Sequence, residues 1–437
     1  MRRFKILIIT TLLFFALFAL MALSVDNTLP ASELENETVS TLIQKNILAE
    51  AKRVRLFKKR RQELEVALNN YFETAIASGD IVGAGVSIVK GDSILISDGF
   101  GKRDIDAKDM VDGETVFRLG SLSKGFAGVL AADLKEEGKL SWEDKVSDYL
   151  PDFQLGDRKN TDKIKLAHIL SHTSGTPYHS FTNLVEAGIP MKKIAGRFNE
   201  VSPISEPGAM YSYQNAMFAL CGEIMKIATG NDITVSLDKR FFKPLNMQTA
   251  STDYETLIRQ QNVAKPHSKQ RNGWSSRKLT NSYDNAVAAG GINASALDMA
   301  KWMRFLLGHN SKVMNESSIA EAFEPQIEIN IGRKYYKRWP GHVSSHYAFG
   351  WRIHKFEDES SGEKTTVWHH GGSVNRFRNE IAIYPETDLG ICVLLNSNSK
   401  LASTVIPDLH KIVAEIYKET SPKLPQAPAS TVSLSFD

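Results

Sequence analysis

The stretch Phe117-Arg118-Leu119-Gly120-Ser121-Leu122-Ser123-Lys124-Gly125-Phe126-Ala127-Gly128-Val129-Leu130 sets two serines and a lysine at the mouth of an apolar helix. Positions i and i+3 share a helix face, which pairs Ser121 with Lys124 and turns Ser123 elsewhere. A serine hydroxyl is a weak nucleophile and needs a base. An ammonium buried in an apolar helix is disfavoured by desolvation, so its pKa falls and the free amine can take the Ser121 proton. A helix N-terminus also favours developing negative charge. Taken alone, the same four letters also describe a capping serine and a solvated lysine.

Two further stretches follow in order. PGAMYSYQNAMFALCGEIMKIATG, residues 207–230, centres on Tyr213-Gln214-Asn215. VWHHGGSVNRFRNEIAIYPETDLGICVLLNS, residues 367–397, carries His370-Gly371-Gly372 ahead of a strand-turn-strand pattern. With these elements, and with LSWEDKVSDYLPDF, IKLAHILSHTSGTP, AAGGINASALDMAKWMRFLL and YAFGWRI between them, the chain over residues 70–420 resembles the class C branch of the serine β-lactamase superfamily. That branch holds class C β-lactamases, D,D-peptidases, D-aminopeptidases and related esterases.

The resemblance implies a covalent acyl-enzyme on an amide or ester, with no cofactor and no metal. It makes Ser121 the nucleophile and Lys124 its general base. It makes Tyr213 a proton shuttle, and Asn215 a residue that binds a substrate amide and helps hold the lysine. The backbone N–H groups of Ser121 and Ser373, just past Gly372, would form the oxyanion hole.

The third element departs from the Lys-Thr-Gly of true class C β-lactamases. Phe377 lies seven residues after His370, which puts His370 at the lysine position and His369 one place off. A lysine is a fixed point charge suited to a substrate carboxylate, whereas histidine near neutral pH is mostly uncharged. The expected substrates are therefore D-amino-acid peptides of the cell-wall kind and small esters ahead of β-lactams. On this reading His370→Lys raises penicillin reactivity. Arg376 and Arg378 could replace the lost cation or sit on an exposed turn. His168 and His172 are spaced to seat a metal but lack the acidic residue of a zincin pattern, and Trp368 and His369 read as packing residues.

Outward from these elements the chain is ordinary globular protein: 437 residues, 42% hydrophobic and 24% charged, enough for a large core. The net charge of +3 is matched by Arg2, Arg3 and Lys5, so nothing global points to nucleic acid. Those three precede an apolar run over 6–25, in the pattern of an export signal or a membrane anchor. Either places the rest on the periplasmic or extracellular side. Residues 26–69 read as a tether and a helix with the basic cluster Lys58 to Arg61. The Pro/Ser-rich residues 421–437 read as a disordered tail. Cys221 and Cys392 are expected as buried thiols.

Strand-like runs flank Lys90-Gly91-Asp92, and four more follow residue 346, with a mostly helical stretch over about 135–285 between them. This predicts an α+β fold. One antiparallel sheet is assembled from both chain ends and flanked by helices, with a largely helical lobe beside it.

Overall fold

The computed structural model describes residues 39–418 apart from 331 and 333, with side chains from residue 44 onward. The expected signal or anchor over 1–25, the first part of the tether and the tail over 421–437 lie outside those residues. Among the described residues no helix is long and apolar enough to cross a membrane.

The chain divides between Lys58 and Lys59 into two compact units. The described part of the first is the opening portion of helix α1 (Val39–Ala77), where every side chain from 44 to 58 is exposed. In the second unit α1 continues, and Leu64, Leu68 and Phe72, spaced at four, form a fully buried stripe. Each such burial contributes roughly 2 kcal/mol. Lys58, Lys59 and Arg61 are exposed, with Lys59 and Arg61 pairing with Glu63 and Glu65 one turn on, whereas Arg60 lies half-buried over the Tyr417 ring and donates to the Lys418 carbonyl.

Strands β1 (Gly83–Lys90) and β2 (Ser93–Gly101) form the hairpin read at Lys90-Gly91-Asp92. Short strands β3 (Val116–Arg118) and β6 (Asn293–Ser295) pair with each other, as do β4 (His267–Gln270) and β5 (Gly273–Ser276). The C-terminal meander is β7 (Ile327–Glu328), β8 (His342–Tyr347), β9 (Arg352–Glu357), β10 (Lys364–Val374), β11 (Phe377–Tyr384) and β12 (Leu389–Leu395). The eight-stranded sheet runs β2-β1-β12-β11-β10-β9-β8-β7, antiparallel throughout, and β1 from the early chain pairs along its length with β12. Two details differ from the sequence reading. YAFGWRIHKF is broken at Gly350, whose φ of 80° turns β8 into β9. The stretch expected to be helical and loop-like also contains the β4–β5 hairpin.

Both faces of the sheet are covered, so β12 reads as the unbroken apolar run LGICVLL. Its residues Cys392 and Leu394 face one core, and Leu389, Ile391, Val393 and Leu395 face the other. The second core includes α1 and the C-terminal helix Val405–Tyr417. The first includes the helix Ser123–Glu136, buried at every position from Ser123 to Leu134, together with helices Asn215–Thr229 and Ala296–Leu306. The Asn215 helix ends at Gly230, with φ 71°, as its sequence indicates. Both cysteines are free and buried.

Candidate active site

Ser121 does not open the α-helix itself. It lies in a 3-10 turn, Gly120–Leu122, and the α-helix begins at Ser123. Ser123 is buried and its Oγ accepts from the Ile292 N–H at 3.1 Å, so it faces away from the site. Gly120 has φ 57° and sits so close to Ser373 that a Cβ there would lie 2.9 Å from the Ser373 backbone nitrogen. A Cβ on Gly372 would run into the Leu119 carbonyl. Only glycines allow the nucleophile turn and β10 to approach backbone to backbone. Asn379 on β11 fixes this approach: its side chain donates to the Arg118 and Leu119 carbonyls at 2.9 and 3.0 Å.

The Lys124 side chain is fully buried, with Nζ 3.3 Å from Ser121 Oγ, 2.7 Å from Asn215 Oδ1 and 2.8 Å from the Ala289 carbonyl. Desolvation, and then the nearby Arg352 guanidinium, hold its pKa well below the usual lysine value. A neutral amine has two hydrogens and one lone pair. Asn215 Oδ1 and the Ala289 carbonyl can only accept, so they take the two hydrogens. The lone pair is left for Ser121.

Tyr213 donates its hydroxyl to Ser121 Oγ at 2.8 Å, and its ring centroid lies 4.9 Å from Lys124 Nζ. Burial raises its pKa, so at neutral pH it is a phenol. Asn215 also donates through Nδ2 to the Tyr283 hydroxyl at 3.1 Å, which engages both ends of its amide. Gln214 is buried. Its backbone N–H donates to His172 Nδ1 at 3.1 Å and its side chain to the Pro177 carbonyl.

His370 is fully buried, Gly372 is buried, and Ser373 is exposed. The Gly371 carbonyl lies 2.8 Å from His370 Nδ1, so this nitrogen carries the proton and donates to it. Nε2 then accepts from the Tyr347 hydroxyl at 3.0 Å. Desolvation, with Arg352 and Lys124 adding to it, keeps His370 neutral. Both nitrogens are occupied, so His370 presents no free donor to a carboxylate.

The other candidates separate. Arg376 is on an exposed turn as one reading had it, but Arg378 is not: it pairs with Glu380 at 2.9 Å and lies over the Tyr335 ring. Trp368 stacks on Phe323. His369 does more than pack. Its Nε2 contacts Glu380 at 2.8 Å and its Nδ1 contacts His354 Nε2 at 3.0 Å, within a buried polar chain that continues through Ser345 to His342. His168 and His172 each accept a backbone N–H through Nδ1, from Lys165 and Gln214. Among the described residues no group of three potential metal ligands converges.

Sequence reasoning did not single out Tyr283, Tyr347, Arg352 or Asn379. Arg352 stands 5.4 Å over the Tyr336 ring with Nε and Nη1 buried and unpaired, and its charge acts on Lys124, Tyr213, His172 and His370. No spacing rule connects it to Ser121. The one available signal was a lone arginine directly after an apolar turn.

Comparison with known proteins agrees with this architecture. Protein flp of Staphylococcus aureus (strain MW2) is 25% identical over 356 residues, 78% of this chain, and the chain spans 65% of that relative's length. Unguisins hydrolase ungD of Aspergillus violaceofuscus is 22% identical over 344 residues, 72% of this chain and 58% of its own. In fold, the chain resembles the octameric penicillin-binding protein homologue from Pyrococcus abyssi, with a TM-score of 0.66, 22% identity and 80% of each chain covered. It also resembles EstCE1, a hydrolase with promiscuous acyltransferase activity, with a TM-score of 0.65, 18% identity, and 82% of this chain and 98% of that one covered. The sequence profile of the beta-lactamase family matches residues 68–413, and the chain belongs to that family.

Proposed function

We propose that this protein is an extracytoplasmic hydrolase that transfers the acyl group of an ester or a D-amino-acid peptide to Ser121 and then to water. The observation that carries this reading is the pair of contacts on Ser121 Oγ: the Lys124 amine at 3.3 Å and the Tyr213 phenol at 2.8 Å. Export is supported by the basic MRRFK ahead of the apolar run over 6–25.

Ser121 Oγ attacks the carbonyl carbon as Lys124 takes its proton and becomes an ammonium. The tetrahedral oxyanion is held by the backbone N–H groups of Ser121 and Ser373. One such donor contributes on the order of 3 kcal/mol to the rate. Tyr213 gives its proton to the leaving nitrogen or oxygen as the bond breaks, and the Lys124 proton restores the phenol. Water then repeats the sequence on the acyl-enzyme, and the acid departs.

Esters and peptides rank above β-lactams because His370 is neutral and fully engaged.

The test is to incubate the protein with a fluorophosphonate probe and, separately, a fluorescent penicillin, and to map the modified peptide. Fluorophosphonate on Ser121 with little penicillin label is expected, together with steady turnover of an activated ester. Ser121→Ala abolishes both. Label elsewhere would sink the site assignment. One burst per molecule without turnover would mark a penicillin-binding sensor instead. Rapid turnover of penicillin would mark a true class C β-lactamase.

A further inference from the structure

Beside Ser373 the molecule has a second cavity that the acyl-transfer chemistry does not use. It encloses about 620 Å3 between the β4–β5 hairpin and the β10–β11 turn. Lys269, Arg277, Lys278 and Arg376 line it, with Trp274 and Asn375, and no Asp or Glu is among its lining residues. Arg277, Lys278 and Arg376 have exposed side chains that, among the described residues, no carboxylate pairs with, in a chain whose charges otherwise nearly cancel. Lys269 is held against the Trp274 ring, 5.4 Å from its centroid, and donates to the Gly79 carbonyl.

The segments that line the cavity are tied to the active site. Asn375 and Arg376 come directly after Ser373-Val374. The segment bearing Arg277 and Lys278 is tied to that turn by the Thr280 N–H, which donates to Asn375 Oδ1 at 3.1 Å. The same segment is tied to the nucleophile strand by Arg118, which donates to the Thr280 and Ser282 carbonyls. Arg376 follows Ser373 by three residues, in the turn that closes the pairing of Val374 with Phe377.

The turn itself points to selection for the Arg376 side chain. Asn375 and Arg376 are the two central residues of a hairpin turn, with φ of 46° and 72°. Such turns favour Asn followed by Gly, because the second position is left-handed. Asn375 fits. At 376 the backbone asks for glycine and the chain has arginine, so a guanidinium is kept at the cavity mouth against the local conformational preference.

We propose that this cavity is an anion subsite of the Ser121 site, holding a phosphate or carboxylate group of the substrate at a distance from the scissile bond. The proposal rests on the reading of Ser121 as nucleophile, and the experiment has two arms so that the two can fail separately. In the first, pyrophosphate is titrated into the full-length Ser121→Ala protein by calorimetry at low and high salt. Saturable binding that weakens with salt is expected, reduced at least fivefold by adding Arg376→Gly or Lys278→Gln. No saturable binding, or binding that both changes leave intact, overturns the proposal.

In the second arm, the wild type and Arg376→Gly are compared on the p-nitrophenyl monoester of suberic acid and on p-nitrophenyl octanoate, which has the same chain length without the charge. Arg376→Gly is expected to lower kcat/KM at least fivefold for the suberate ester and less than twofold for the octanoate. Its melting temperature should be equal or higher, since glycine suits the turn. Equal effects on the two esters overturn the subsite. Absence of turnover for both esters, with pyrophosphate binding intact, counts against the Ser121 reading and leaves the anion pocket standing.

Discussion

Lys124 is held more closely by Asn215, at 2.7 Å, than by Ser121, at 3.3 Å. The amine is therefore anchored by an amide and a backbone carbonyl and offered to the nucleophile, rather than tied to it. Its neutrality depends on burial and on the absence of a carboxylate beside it.

Asn215→Asp tests this directly. A carboxylate at 215 would stabilise the ammonium and raise the Lys124 pKa. Activity requires the free amine, so the acid limb of the kcat/KM profile should move to higher pH. In the wild type that limb lies well below the ordinary lysine value. An unmoved limb in the variant would mean that another group governs it.

Tyr213→Phe removes the phenol that donates to Ser121 and leaves Lys124 in place. General acid–base contributions of this kind are about 10²- to 10⁴-fold. The expected result is a drop of that order in kcat for a peptide or alkyl ester, with a smaller loss for a p-nitrophenyl ester, whose leaving group needs no proton. Equal losses on both substrates would remove the shuttle role.

Gly372→Ala puts a Cβ against the Leu119 carbonyl and forces β10 away from the nucleophile turn. With the Ser121 and Ser373 N–H groups of the proposed oxyanion hole moved apart, kcat should fall about 10²- to 10³-fold. Fluorophosphonate labelling and ester kinetics, read beside the melting curve, separate this from unfolding. Retained kcat in a folded variant would exclude Ser373 from the oxyanion hole.

Glu380 is buried against His369, Tyr335 and Arg378, and burial pushes its carboxyl up to about 7. In the unfolded chain it ionises near the ordinary glutamate value. Between those two pH values the folded state binds more protons than the unfolded one, so this group's contribution to stability falls as pH rises. Glu380→Gln removes that dependence. From pH 5 to pH 8 the variant should gain on the wild type by up to about 3 kcal/mol in urea unfolding. A constant difference would show that Glu380 does not titrate in this window.

Much of the fold was legible because its signals are local. The Lys90-Gly91-Asp92 turn, the glycine at 230 and the strand-like runs after residue 346 are each fixed by neighbours in sequence. The Ser121–Lys124 juxtaposition was legible for the same reason, as one helical turn. Tyr213, Asn215 and His370 were reached through the resemblance to a family; the structure sets Tyr213 on Ser121, Asn215 on Lys124 and His370 on Tyr347. Tyr283, Tyr347, Arg352 and Asn379 act across tens to hundreds of residues, and no periodicity marks them. The β4–β5 hairpin escaped notice because His-Ser-Lys-Gln has no apolar alternation, although Asn272-Gly273 carries a turn signal.

The pairing of β1 with β12, and the bond from Asn379 to Leu119 across 260 residues, have a consequence for synthesis. A chain still emerging from the ribosome holds its serine and lysine early, but β10, the strand packed against the nucleophile turn, is made only long afterwards. Contacts of such long range are slow to form. The serine and lysine thus stay apart from their facing strand until β10, β11 and β12 have been made and have paired.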